Sequence, residues 1–165
     1  MRTIALILLS LFCQQLIAQN TVELKVGDTA PEISLPDPEG HQILLSQQKG
    51  HLILVDFWAT WCAPCIKEQP LLKELYSDYR DRGFNIYGVS LDRNKDNWIS
   101  GIKRLEIDWP QVSDLKFWMS PVAADYGIQE LPFNVLLDDQ MKIVAINLHD
   151  DELSDFVKDF FAKDQ

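Results

Sequence analysis

Cysteine is scarce in this chain: Cys13, Cys62 and Cys65 are the three in 165 residues. So few thiols exclude the disulfide framework that staples small secreted domains. A structural zinc site is disfavoured as well, because four ligands are usual and there is no second cysteine pair. Basic residues are also short, with 15 Lys and Arg against 25 Asp and Glu, for a formal charge of −10. An acidic chain of this kind has no electrostatic footprint for nucleic acid or anionic lipid. A solvated acidic surface that aids solubility accounts for the charge. No apolar run reaches the ~20 residues that span a bilayer. Repeats and low-complexity tracts are missing, and the length suits one domain with a real hydrophobic core. The histidines His41, His51 and His149 are scattered. Surface or packing roles suit them, and nothing in the sequence ties His149 to the thiols.

The N-terminus holds Arg2, an apolar segment from Ile4 to Phe12, two glutamines, and then Leu16-Ile17-Ala18-Gln19. A basic start, a short apolar stretch and a small residue before the cut describe a secretory signal. Cleavage near Ala18 is expected, with residues 19–165 as the mature domain, exported to the periplasm or the outer face of the cell envelope. An acylated Cys13 fits less well, since Phe12 is bulky for such a site. Loss of residues 1–18 removes Arg2 and no acid, so the mature chain is one unit more negative. It also removes Cys13, so both remaining thiols belong to one motif.

Further along, Val26–Pro31 is an extended lead-in. Pro36-Asp37-Pro38-Glu39-Gly40 is a turn between Ile33–Leu35 and Gln42–Leu45, which predicts a small hairpin. Leu52–Trp58 is nearly all apolar, the mark of a buried strand. Ile66, Leu71, Leu72, Leu75, Tyr76 and Tyr79 recur at helical spacing after it, with Pro70 inside the helix. Phe84–Leu91 is a strand after the stop at Arg82-Gly83. Asn94 to about Glu106 is a helix, and Ser120–Tyr126 a short one. Asn134–Leu137 and Lys142–Leu148 are strands, and a last helix opens at Asp150. This order predicts an α/β sheet with helices on both faces.

Trp61-Cys62-Ala63-Pro64-Cys65 stands where the buried strand gives way to the helix. Cysteines three apart on a helix share a face, close enough to bridge. The first sits at the positive end of the helix dipole, which favours the thiolate that attacks disulfides. It is expected to be exposed, and Cys65, one turn in, to be covered. Three readings compete for the pair: thiol–disulfide exchange, a static staple and a metal site. A staple over so short a loop constrains the unfolded chain little.

Phe57 to Cys65 resembles the active-site segment of the thioredoxin superfamily. The wider chain, from about Val26 to the last helix, is similar to its exported TlpA/ResA-like branch. Gly27-Asp28-Thr29-Ala30-Pro31 matches that branch's opening, and Tyr126-Gly127-Ile128 with Leu131-Pro132 matches the loop before its cis-proline. The resemblance implies a thioredoxin-like fold: a central mixed sheet flanked by helices, with the hairpin as an N-terminal extension and a helical insertion. It implies Cys62 as nucleophile, Cys65 as resolving thiol, and a redox disulfide between them. Glu68 matches a glutamate linked to the acid–base behaviour of the cysteines. Asp56, a costly charge in an apolar strand, matches thioredoxin's buried aspartate. Either carboxylate is a candidate acceptor for the Cys65 proton, and the two can titrate together.

Pro132 is expected to be cis beside the cysteines, presenting backbone groups of Leu131 to an extended substrate. Leu131 is larger than the residues common before that proline. Trp61 is expected on an exposed rim that docks partners, Trp58 in the core, and Pro64 in the first helical turn. The implied activity is dithiol reduction of oxidised proteins, with apocytochrome c as a substrate and a membrane electron donor of the DsbD or CcdA type. No soluble cofactor or metal is implied, and a monomer is expected. Two alternatives are a thiol peroxidase, for which the Pro-x-x-x-Thr/Ser-x-x-Cys setting is absent, and a copper carrier, which uses a longer cysteine spacing with a helping histidine.

Overall fold

A computed structural model describes residues 23–163; the expected signal segment lies outside them. Seven strands and four α-helices follow one another. They are β1 Ser34–Pro36, β2 Gln42–Leu44, β3 Leu52–Trp58, α1 Ala63–Tyr79, β4 Phe84–Ser90, α2 Lys95–Leu105, β5 Gln111–Val112, α3 Pro121–Asp125, β6 Phe133–Asp138, β7 Ile143–Ile146 and α4 Asp150–Ala162. Short 3-10 turns lie at 45–47, 80–82 and 117–119.

β1 and β2 form the expected hairpin, and the other five strands make one mixed sheet in the order β5-β4-β3-β6-β7. β3 sits at the centre with all seven residues buried, parallel to β4 and antiparallel to β6. The parallel pairing follows from α1, a helical crossover that returns the chain to the same end of the sheet. Alternation along β3 divides the core in two. Leu52, Leu54 and Trp58 pack with Leu72 and Leu75 of α1, Trp98 of α2, and Leu153, Val157 and Phe161 of α4. Ile53, Val55 and Phe57 face the other way, against Tyr87, Val135, the hairpin's Ile33 and Tyr126. Asp56 shares the parity of Leu54 and Trp58, so it lies on the α1 face.

The helix α1 runs through Pro70 without ending, and Gly83, at φ +94°, terminates the 3-10 turn that follows it. The lead-in lies along the end of β7, with Gly27 N–H donating to Ile143 O at 2.8 Å and Ala30 N–H to Met141 O at 3.0 Å. The two-residue β5, too short to show a period, adds an edge to β4 and was not expected from the sequence.

Candidate active site

β3 ends at Trp58, and Ala59-Thr60-Trp61 leads into α1 through Cys62, the N-cap residue. A bonded carboxylate holds this loop. Buried Asp92 accepts the Thr60 N–H at 3.1 Å and the Thr60 hydroxyl at 2.6 Å, and takes a further hydrogen bond from Ser90 Oγ at 2.8 Å. Cys62 and Cys65 are joined as a disulfide, with Cα atoms 5.3 Å apart. Cys62 Sγ also accepts the Cys65 backbone N–H at 3.2 Å. A sulfur placed as an N-cap acceptor at the positive end of a 17-residue helix is where negative charge is best tolerated. Pro64, in the first turn of α1, lacks the N–H that would go unbonded there. In the chain-entropy picture a four-residue loop contributes only about 2 kcal/mol, so stapling is a minor part of what this disulfide does.

The expected contrast in exposure is not what the oxidised site has. Cys62 is 4 % exposed and Cys65 2 % exposed. The cap geometry turns the first sulfur inward onto the helix end, while Trp61, Ala63 and Pro64 form the exposed surface around it. Trp61 is 47 % exposed and packs on Phe117 and Trp118, with ring centroids 5.1 and 6.1 Å apart. Arg93 lies 4.2 Å above the Phe117 ring. Trp61, Phe117 and Arg93, with Asp92, Asn94 and Asn97, border a cleft of about 240 Å³. The sequence reading missed Phe117 and Trp118, because a 3-10 turn of three residues carries no periodic signal.

The Leu131–Pro132 bond is cis. Leu131 packs against the core cluster that includes both cysteines.

Glu68 and Asp56 are both buried on the α1 face of β3. Asp56 Oδ2 has no hydrogen-bond partner among the described residues. Burial, and then the negative charge of Glu68, raise the Asp56 carboxyl from 3.8 to about 7, with Gln69 and His149 pulling the other way. Glu68 is brought against a residue for which the sequence offered no role. His149 Nδ1 lies 2.9 Å from Glu68 Oε1, which also receives the Asp150 N–H at 3.4 Å. His149, for which the sequence offered no partner, is thus bonded to Glu68, which follows Cys65 by one helical turn on α1. The two partners are 81 residues apart, and only the docking of the α4 start onto α1 makes them neighbours. His51 and His41 lie elsewhere, His41 in the hairpin beside Asp37. Among the described residues no group of three or more His, Cys, Asp or Glu side chains could hold a metal ion.

A central mixed sheet, a disulfide at the head of α1 and a cis-proline loop whose Leu131 packs on the same core cluster define the thioredoxin-like thiol–disulfide oxidoreductases, the class of this enzyme. Comparison with known proteins agrees. Residues 26–146 match the model of the AhpC/TSA family, and the chain belongs to that family. It is 34 % identical over 150 residues to the thiol-disulfide oxidoreductase ResA of Geobacillus thermodenitrificans, covering 88 % of this chain and 84 % of that protein. ResA of Bacillus subtilis is 31 % identical over 120 residues, covering 73 % and 65 % of the two chains. Among solved structures, the thioredoxin domain of a thiol-disulfide oxidoreductase from Bacteroides vulgatus superimposes with a TM-score of 0.78 at 38 % identity, over 84 % of this chain and 99 % of that one.

Proposed function

We propose that the protein is an exported, monomeric dithiol reductant of protein disulfides. The observation that carries this is the Cys62 sulfur held as N-cap acceptor of α1, bridged to Cys65. In the reduced state, the Cys62 thiolate attacks a substrate disulfide. One substrate sulfur leaves and is protonated, and a mixed disulfide forms. Cys65 then gives up its proton and attacks Cys62 Sγ, which breaks the mixed disulfide and frees the second substrate thiol. Two electrons have passed to the substrate, and the enzyme is left as its Cys62–Cys65 disulfide.

Asp56 and Glu68 are the proposed acceptors of the Cys65 proton. With the Asp56 carboxyl at about 7, that residue exchanges a proton readily at neutral pH. Trp61, Pro64, Leu131 and Pro132 are proposed to contact the substrate, the last two through strand addition on the backbone at Leu131.

Ala63-Pro64 places no charge or histidine between the cysteines to weaken the disulfide, which supports the reducing direction. The basic and apolar residues 1–18 support export, and the resemblance of the motifs to the TlpA/ResA-like branch extends the proposal to cytochrome c maturation. Apocytochrome c, with its haem-attachment cysteines, is then a substrate, and a membrane protein of the DsbD or CcdA type the electron donor. The reduction potential is the first test. A value near about −120 mV, that of a strong periplasmic oxidant, would reverse the direction. Cys65→Ala should trap the substrate on Cys62 as a stable mixed disulfide for identification.

The AhpC/TSA match is the one observation that favours a second reading, a thiol peroxidase. Rapid turnover of hydrogen peroxide would select it.

A further inference from the structure

His149 occupies the residue between the β7–α4 loop and the first turn of α4, and both its ring nitrogens face oxygens. Nδ1 is 2.9 Å from Glu68 Oε1 and Nε2 is 2.9 Å from Asn147 Oδ1. An amide oxygen only accepts, so Nε2 carries a proton in this arrangement. A second proton then lies along the Nδ1–Glu68 contact, on the ring as imidazolium or on the carboxyl as acid.

The loop that presents the ring is locked from below. Asn134 is buried on β6, directly opposite Asp56 in the ladder. Its Nδ2 donates to Leu148 O at 2.6 Å and its Oδ1 accepts the Leu148 N–H at 3.2 Å. Its backbone oxygen accepts the Asn147 N–H at 2.7 Å. The side chain of His149 is 27 % exposed and that of Glu68 7 %, so the imidazole reaches from a buried carboxylate to solvent.

The charged groups facing it are Glu68 on α1, Asp56 on β3 and Asp150 beside it, with the exposed Asp151 and Glu152 following in α4. The hydrogen bond to Glu68 is the largest cause that raises the proton affinity of the ring, against the opposing effect of burial. No other cation is paired with Glu68 among the described residues.

We propose that His149 is a positioning residue for thiol exchange, acting through Glu68 to supply the buried acids Glu68 and Asp56 with their positive charge and their proton path to solvent. The proposal rests on the reading of Cys62 and Cys65 as an exchange pair. When Cys65 attacks Cys62 Sγ, the Cys65 proton passes to the Glu68 carboxylate and leaves by way of the imidazole. The S–S bond to the substrate breaks as the Cys62–Cys65 bond forms, and the substrate sulfur departs with the electron pair.

The test follows alkylation of Cys65 against pH in full-length protein carrying Cys62→Ser, with and without His149→Gln. Loss of the imidazolium leaves the cluster more negative and the Cys65 thiolate less favoured. The expected result is a reactivity midpoint raised by about one pH unit, a roughly tenfold loss of rate at neutral pH. In His149→Gly, added imidazole should restore the rate, which it cannot do for a residue that only packs. A midpoint left in place, or a rate lowered by one factor at every pH with no response to imidazole, overturns the proposal. His149→Asn gives the same readout should the glutamine variant fail to fold. Reduced wild-type protein is assayed beside them on insulin. If it passes no electrons, the exchange reading itself fails; if it does and the midpoint is unmoved, this inference alone fails.

Discussion

Asp92 holds Thr60 by both its backbone N–H and its hydroxyl, at 3.1 and 2.6 Å, two residues before Cys62. The pair fastens the end of β4 to the loop that carries Trp61 and Cys62, and Ser90 Oγ completes the carboxylate's bonding. The position of Cys62 thus depends on a carboxylate thirty residues further along the chain.

Asp92→Ala should therefore loosen the loop as well as destabilise the fold. Each buried donor left without its acceptor costs about 1–3 kcal/mol. Ser90 contributes one such donor, and half-buried Thr60 contributes two more, on its backbone and its side chain, at lesser cost. We expect a loss of roughly 3 kcal/mol in urea unfolding, and Asp92→Asn to lose less because one oxygen remains. An unchanged unfolding midpoint for the alanine variant would count against the clamp.

Asp56 predicts a pH-dependent stability of defined sign. Its carboxyl titrates at about 7 when folded and near 3.8 when unfolded. Between those values the folded state binds the extra proton, so stability falls as pH rises from about 4 through about 7. At about 1.4 kcal/mol per unit the loss is at most roughly 4 kcal/mol. Asp56→Asn removes this dependence. It should be more stable than the parent at pH 8 and no more stable below about pH 4, as read by chemical denaturation across that range. A gain that is equal at both ends would show that burial of the charge is not its source.

The aromatic surface beside the disulfide is proposed to separate protein substrates from small ones. Trp61 and Trp118 are both partly exposed and in contact with each other. Trp61→Ala is expected to raise KM for a protein disulfide about tenfold, equivalent to roughly 1.4 kcal/mol of lost contact. The rate on a small disulfide such as hydroxyethyl disulfide should change little, since it makes no use of the rim. Equal losses on both substrates would place Trp61 in the chemistry of Cys62 instead.

Local patterns were legible where one segment carries its own instruction. The run Leu52–Trp58 became the central strand with the same bounds, because seven consecutive buried positions leave no polar face to misplace. The start of α1 was equally clear from Pro64 and the cysteine spacing. Fitting the Tyr126–Pro132 segment to a family loop gave the cis bond at Pro132. Less legible was anything made by two distant segments. Gln111–Val112 is a strand only because β4 lies beside it, and Gln111 is buried there because its Oε1 accepts from Trp58 Nε1 at 2.8 Å. Phe117 and Trp118 meet Trp61 through a turn that has no sequence period.

The chain's own order of residues determined the sheet's central strand, the helix that begins at the thiols, and the sulfur that heads it, since each follows from burial, capping and spacing within a dozen positions. Tertiary structure alone decided the surroundings of those sulfurs. It turned Cys62 inward, bonded Asp92 to Thr60, and set His149 on Glu68. The reason is physical: hydrogen bonds and charges act at a few ångströms of space, and no rule of local spacing reports which remote side chains the folded core will bring that close.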